Sequence, residues 1–223
     1  MNSSKKKSKI AGILILAGII VGILSIVPAV ESEYFLEEVY PSRNQVLTGA
    51  LFQFFLVPIY IGFSLVLYPI LREFNKTLSI GFVGFRLIAG VFQLIGMILL
   101  PLLVLLSQQY LAHAGSDLLF FEPMGEILKL SRDLSNHLGV MLATALGNLL
   151  LYYIFYKGKL IPVYLSLWGV VGNVLLIIGS FLLLFQLIEV VSPVYGMMTI
   201  PLVLQEVVLA IFLIVKGLNS GFT

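Results

Sequence analysis

The apolar run at residues 78–106 constrains the fold more than any other part of the sequence. It is long enough to cross a lipid bilayer as a helix, which takes about 20 residues. The run nevertheless contains an arginine, Arg86, and a charge at membrane depth is costly unless a partner or a watery cavity receives it. The chain therefore has to place further helices around this one.

The rest of the sequence is apolar enough to supply those helices. Hydrophobic residues make up 60% and charged residues 11% of the 223 positions, and the mean hydropathy is +1.08. Such a composition lies outside the range of soluble domains. There is no cysteine, which excludes disulfides, thiolate metal sites and a cysteine nucleophile. The net charge of +2 is too small to indicate binding of nucleic acid.

Six apolar stretches are long enough to span a membrane, and polar turns separate them. They predict an all-α fold, a polytopic bundle of six transmembrane helices in a single integral membrane domain over residues 1–223. The predicted helices cover residues 10–30, 48–71, 78–106, 138–156, 162–188 and 193–216.

Two further patterns are typical of a membrane surface. In the polar segment 107–137, apolar residues recur at helical spacing and predict a short amphipathic helix on the membrane surface or over the mouth of the bundle. These residues are Met124, Ile127, Leu128, Leu134 and Leu138. Around the turn at 157–159, aromatic residues predict an interfacial belt. They are Tyr152, Tyr153, Tyr156, Tyr164 and Trp168.

Lysine and arginine residues are concentrated on one side of the predicted bundle. The amino terminus, the turns at 72–76 and 157–159, and Lys216 together carry a net charge of +8, whereas the opposite segments carry −6. Because positively charged loops stay in the cytoplasm, both termini are predicted to be cytoplasmic.

Polar residues on five of the six predicted helices lie at similar depth. At about 1.5 Å of rise per residue, Arg86 and Asn148 lie about 13 Å, and Glu206 about 15 Å, from the side of the termini. Since an unpaired charge facing lipid is so costly, we expect Glu206 to be the partner of Arg86. The predicted midplane cluster comprises Arg86, Glu206, Asn148, Asn173, Tyr60, Ser64 and Gln205.

The sequence leaves three interpretations of this cluster open, and the least favoured is that Arg86 and Glu206 make no contact with each other. The charged pair and the asparagines could be a latch that fixes the order of the helices, since polar clamps are common between membrane helices. They could instead form a site for a small solute, a lipid or a proton. A cavity that reaches Arg86 would favour a site, and a dry, packed contact would favour a latch.

Catalytic and metal chemistry find little support in the sequence. Ser64 and Ser180 have no histidine at their depth, so no nucleophile and base are combined and we predict that the protein is not an enzyme. His113 and His137 lie in the 107–137 segment and are weak candidates for a metal site. Neither histidine lies in a predicted spanning helix, which argues against a transmembrane haem, and no cofactor is predicted.

Several sequence runs together resemble one family. They are LYYIFYKGKLIPVYLSLWG at 151–169, KIAG at 9–12, LYPILR at 67–72, GFR at 84–86 and QE at 205–206. They resemble the pattern of an uncharacterised bacterial family, the domain of unknown function number forty-three eighty-six. The resemblance implies a six-helix bacterial inner-membrane protein and supplies no activity. Members often carry an acidic residue three positions after this arginine, where this chain has Ala89, so that Glu206 would have to compensate Arg86 alone.

These observations predict a multi-pass protein of the bacterial cytoplasmic membrane. It would bind or pass a small solute or a lipid at the midplane Arg–Glu site. The alternative is a structural or regulatory module that acts through protein partners, with the charged pair as a folding latch. Membrane lipids are the expected partners. A small polar ligand, a homo-oligomer and a partner protein stay open, and no nucleic acid is expected.

Overall fold

The computed structural model describes residues 3–113 and 118–219, and this part of the chain is helical throughout, without strands. The helices are α1 (Ser3–Leu24), α2 (Pro28–Glu31), α3 (Phe35–Glu38), α4 (Arg43–Leu71), α5 (Lys76–Ala112), α6 (Leu118–Asp133), α7 (Met141–Lys157), α8 (Val163–Leu184) and α9 (Pro193–Val215). A π-helical segment, Leu134–Val140, joins α6 to α7.

Six helical stretches are long and apolar enough to cross a membrane. Five are α1, α4, α5, α8 and α9, and the sixth is the continuous path Phe120–Lys157 through α6, the π-helical segment and α7. This confirms the predicted bundle of six transmembrane helices.

The six spanning helices form a ring in which each one packs against two neighbours. Proceeding from α1, the order of contact is α4, α5, α7, α8 and α9, and α9 packs against α1 again. The two ends of the chain meet on one side of this ring, where the backbone N–H of Leu218 donates to the Ser8 hydroxyl at 3.1 Å. A ring of six helices leaves a central space that side chains from all of them can reach.

The connection between α1 and α4 contains the short helices α2 and α3 and is therefore named the α2–α3 connection. It covers the opposite end of the bundle. Its buried residues Val30, Phe35 and Leu36 pack with Leu103 of α5. The hydroxyl of Ser107 donates to the carbonyl of Leu36 at 2.6 Å and accepts the N–H of Tyr40 at 2.9 Å. A polar group at the end of a spanning helix thus satisfies backbone groups of a non-spanning segment.

Several helix boundaries differ from the prediction. The first helix ends at Leu24 instead of continuing to residue 30, because Val27 precedes Pro28 and has non-helical backbone angles. The third helix continues to Ala112 and starts at Lys76, where the side chain of Asn75 caps the N–H of Leu78 at 2.9 Å. The predicted boundaries were taken from changes in polarity, which mark the edge of the lipid. The helices themselves end at caps and prolines.

The amphipathic segment is not a separate helix, because α6 runs through the π-helical segment into α7. Its predicted apolar residues Met124, Ile127 and Leu134 are exposed, and its other face packs against the α2–α3 connection. On that packed face, the buried Arg132 forms salt bridges with Glu31 at 2.6 Å and Asp133 at 3.0 Å.

Candidate functional site

A cavity of about 200 Å³ lies within the ring, and residues of all six spanning helices line it. Its wall is mainly aliphatic and aromatic. The polar residues in that wall are Tyr60, Arg86, Thr144, Asn148, Tyr152, Thr199 and Glu206. Among the described lining residues, Arg86 is the one cation and Glu206 the one carboxylate, so that the cavity contains one charge of each sign.

Arg86 is held in the cavity wall by one amide and three aromatic rings. Its side chain is almost completely buried, with 5% of the residue exposed, and Nη2 donates to Oδ1 of Asn148 at 2.5 Å. The guanidinium carbon lies 5.0 Å from the ring centroid of Phe63, 5.6 Å from that of Phe82 and 5.8 Å from that of Tyr60. Such ring faces attract a cation when water is excluded.

The arginine keeps an unused hydrogen-bond donor. Its Nε is buried and has no hydrogen-bond partner in the described part of the chain. Aromatic faces offer electrostatic attraction, but they do not replace the strong acceptors that a guanidinium with five N–H donors requires. Within the described residues, the hydrogen-bonding capacity of the guanidinium is therefore not fully used.

Asn148 connects the arginine to two further helices. Its Nδ2 donates to Oδ1 of Asn173 at 3.1 Å, and Nδ2 of Asn173 donates to the carbonyl of Gly169 at 2.7 Å. This relay runs from α5 through α7 to α8. It brings together three of the residues predicted for the midplane cluster, and it leaves both asparagine side chains fixed in orientation.

A second polar contact involves Tyr152, which follows Asn148 by one helical turn on α7. The hydroxyl of Tyr152 donates to Oε1 of Gln205 at 2.7 Å, and Nε2 of Gln205 donates to the carbonyl of Leu165 at 3.2 Å. A Cβ on Gly169 would collide with the ring of Tyr152, so a glycine is required at this close approach. Tyr152 was assigned to the interfacial belt, but it is 1% exposed and lines the cavity. Tyr153, Tyr156 and Tyr164 of that belt are exposed.

Glu206 lines the same cavity as Arg86, but the expected direct ion pair is not formed. Within the described residues, no salt bridge joins the two side chains, and Asn148 occupies the hydrogen-bonding position beside the guanidinium. The depth count placed both charges at one level, but it gave no information about the distance across the ring. The result is two opposite charges that face a shared space.

Two other positions that the sequence analysis considered, Ser64 and Ala89, add no polar group to the site. Ser64 is fully buried, and its hydroxyl donates to the carbonyl of Ile61 in its own helix at 2.8 Å, so within the described residues it is not hydrogen-bonded to the cluster. Ala89, at the place where an acidic residue was expected in relatives, is also fully buried and packs with Val140, Ala143 and Tyr60. Glu206 is therefore the carboxylate left to balance Arg86 within the cavity wall.

The histidines are not part of this site. His137 was predicted to lie outside the spanning helices, but it lies in the π-helical segment of the sixth spanning path, where Nδ1 is 3.3 Å from the hydroxyl of Tyr195. His113 is exposed at the end of α5. In the described ranges, no group of three histidine, cysteine, aspartate or glutamate residues could hold a metal ion.

The comparison with known protein families gives a match over almost the whole chain. A family model described as "Domain of unknown function (DUF4386)" matches residues 10–217, almost the whole chain. No curated protein matches the chain, and no solved structure matches it.

Proposed function

Because the chain belongs to the DUF4386 family, whose description carries no activity, we propose a function from the cavity itself. The protein binds a small polar solute or a lipid at the level of Arg86 and Glu206, and it either holds this ligand or lets it pass. The proposal describes a binding or permeation protein and not an enzyme.

The observation that carries the proposal is the space between the two charges. Burying a charge is costly unless a partner compensates it, and a latch would be expected to close this gap with a direct salt bridge. Here both charges instead face a cavity of about 200 Å³, and the Nε of Arg86 is left without an acceptor. A polar ligand in this space would supply the missing interactions.

The location of the protein follows from its charge distribution and from the family resemblance. We place the chain in the cytoplasmic membrane of a bacterium, with both termini in the cytoplasm. The side that carries the termini also carries the turns at 72–76 and 157–159, and its net charge is +8 against −6 on the other side. The positive-inside rule supports this orientation.

Mass spectrometry of the purified protein tests the proposed function. Lipids and solutes that copurify with the wild type are compared with those of Arg86→Gln and Glu206→Gln. Arg72→Gln is the control, since the Arg72 side chain is 53% exposed and lies outside the cavity. We expect at least one molecule to be lost with Arg86→Gln, reduced with Glu206→Gln and retained with Arg72→Gln. The same set of molecules in all four samples would contradict the proposal.

A second candidate function is a module that acts through partner proteins. The acidic residues Glu33, Glu37, Glu122 and Glu126 line a surface pocket of about 430 Å³ between the α2–α3 connection and α6. A basic segment of a partner would find complementary charge there. Crosslinking in intact membranes tests this second function, and a variant with the four glutamates replaced by glutamine is the control. A crosslinked partner that is lost in the glutamine variant supports the function.

A further inference from the structure

The contact between α1 and α9 is tight on the side of the termini. A Cβ added to Gly12 of α1 would lie 2.6 Å from the carbonyl oxygen of Ala210 in α9 and 3.2 Å from Cβ of Leu213. Near the same end, the N–H of Leu218 donates to the hydroxyl of Ser8. The two helices thus pack closely against each other between the cavity and the termini.

At the level of the cavity, two glycines of α1 have no atom of α9 near their Cβ positions. A Cβ on Gly18 would contact only Ile59 of α4, at 3.4 Å, and a Cβ on Gly22 would have nothing within 4 Å. Gly18 from α1 and Val203 from α9 nevertheless both line the cavity, and Val203 is 45% exposed. Val203 is thus part of the cavity wall and also exposed, which places an opening of the cavity towards the lipid beside α1 and α9, here named the α1–α9 gap.

The size and the charges of the cavity restrict what could enter through this gap. A volume of about 200 Å³ is below the range of about 300–1,000 Å³ typical for drug-sized ligands. It suits a headgroup and not a pair of acyl chains, which would stay in the gap and in the bilayer. A headgroup that carries one negative and one positive charge would match Arg86 and Glu206 together.

We propose that the cavity takes the zwitterionic headgroup of a membrane phospholipid through the α1–α9 gap. The phosphate of the lipid accepts hydrogen bonds from the guanidinium of Arg86, and a primary ammonium donates to the carboxylate of Glu206. This inference rests on the proposed function and specifies its ligand. A phosphatidylethanolamine has both groups, whereas a phosphatidylglycerol has only the phosphate.

Native mass spectrometry of the detergent-solubilised protein tests the charge match. The probes are dioleoylphosphatidylethanolamine, dioleoylphosphatidylglycerol and the free headgroup glycerophosphoethanolamine. We expect Arg86→Gln to weaken both lipids by at least about tenfold, which is the effect of losing one charge-assisted hydrogen bond. Glu206→Gln should weaken phosphatidylethanolamine by a similar factor and leave phosphatidylglycerol unchanged. Thermal unfolding of each variant controls for folding, and Arg86→Lys replaces Arg86→Gln if the latter does not fold.

Two glycines of α1 give a matched test of the gap. Gly18 lines the cavity and Gly22 does not, and neither has an α9 atom within 4 Å of its Cβ position. We expect Gly18→Leu to reduce binding of phosphatidylethanolamine by at least about tenfold, whereas Gly22→Leu, which adds the same side chain one helical turn away, leaves it unchanged.

The outcomes separate the ligand class from the proposed function. If both lipids bind equally and respond only to Arg86→Gln, the zwitterion is overturned and the binding function stands. If the free headgroup binds as tightly as the lipid, or Gly18→Leu has no effect, entry from the lipid is overturned. If no probe responds to Arg86→Gln, the lipid proposal fails, and the copurification experiment then decides whether another ligand uses the cavity.

Discussion

Arg86 combines two environments that are seldom found around one buried cation. Three aromatic faces surround the guanidinium, and a single side-chain amide accepts one of its N–H groups. The rings lower the cost of burial without occupying hydrogen-bond donors. This explains how the charge can be kept in a bundle without a salt bridge.

Asn148 is expected to be the residue on which Arg86 depends most. Asn148→Leu has a similar volume but removes the acceptor of Arg86 and the donor to Asn173, which should lower the free energy of unfolding by about 1–3 kcal/mol. Denaturation in mixed detergent micelles measures the loss. Ser64→Ala is the control, because its buried hydroxyl bonds only within its own helix. Equal stability of the two variants would show that the amide does not support the arginine.

Arg86 and Glu206 should be energetically coupled although they do not touch. In a cavity of low dielectric constant, each charge stabilises the other over a longer distance than in water. We expect the double variant Arg86→Gln/Glu206→Gln to be more stable than the sum of the single effects implies, by at least about 0.5 kcal/mol in a double-mutant cycle. Additive losses would mean that the two charges are independent.

At the scale of the helices, the sequence predicted which segments span and only part of how they meet. Runs of apolar residues identify spans because lipid requires them, and all six were found. Counting depth correctly related Arg86 to Asn148 and Asn173, but it missed Tyr152. Depth gives the height of a residue along its helix, whereas contacts depend also on its direction around the helix. That direction depends on packing, such as the close approach of Gly169 to the Tyr152 ring.

Helix α1 should be sensitive to an added methyl group at Gly12, where it contacts α9, and not at Gly22. Gly12→Ala places a Cβ against the backbone oxygen of Ala210, which cannot rotate away, and overpacking of this kind costs about 1–3 kcal/mol. Gly22→Ala adds a methyl group to open space, so its stability should equal that of the wild type or exceed it slightly.

Thermal unfolding of the two purified variants, side by side, measures this difference. A lower transition temperature for Gly12→Ala alone is the expected result. If both variants unfold at the temperature of the wild type, α1 and α9 are not in tight contact at Gly12, and the gap is not limited to the level of the cavity.

The whole molecule combines a ring of six helices with a strong difference in charge between its two ends. The termini and two short turns carry most of the positive charges, and the α2–α3 connection with α6 carries most of the negative ones. The cavity lies between these ends and contains one charge of each sign. The orientation of the ring therefore decides from which side of the membrane a soluble ligand would approach, whereas a lipid could enter from within the bilayer.

Single cysteines test this orientation directly, because the chain has no cysteine of its own. Glu37→Cys and Glu126→Cys introduce thiols at exposed positions on the acidic side, and Glu73→Cys and Lys159→Cys do so on the basic side. In intact cells, a membrane-impermeant maleimide should label the first two variants only, since basic loops stay in the cytoplasm. After the cells are lysed, all four should react, which shows that each thiol is accessible. Labelling of Glu73→Cys and Lys159→Cys in intact cells, without the other two, would reverse the orientation and place the acidic α2–α3 surface in the cytoplasm.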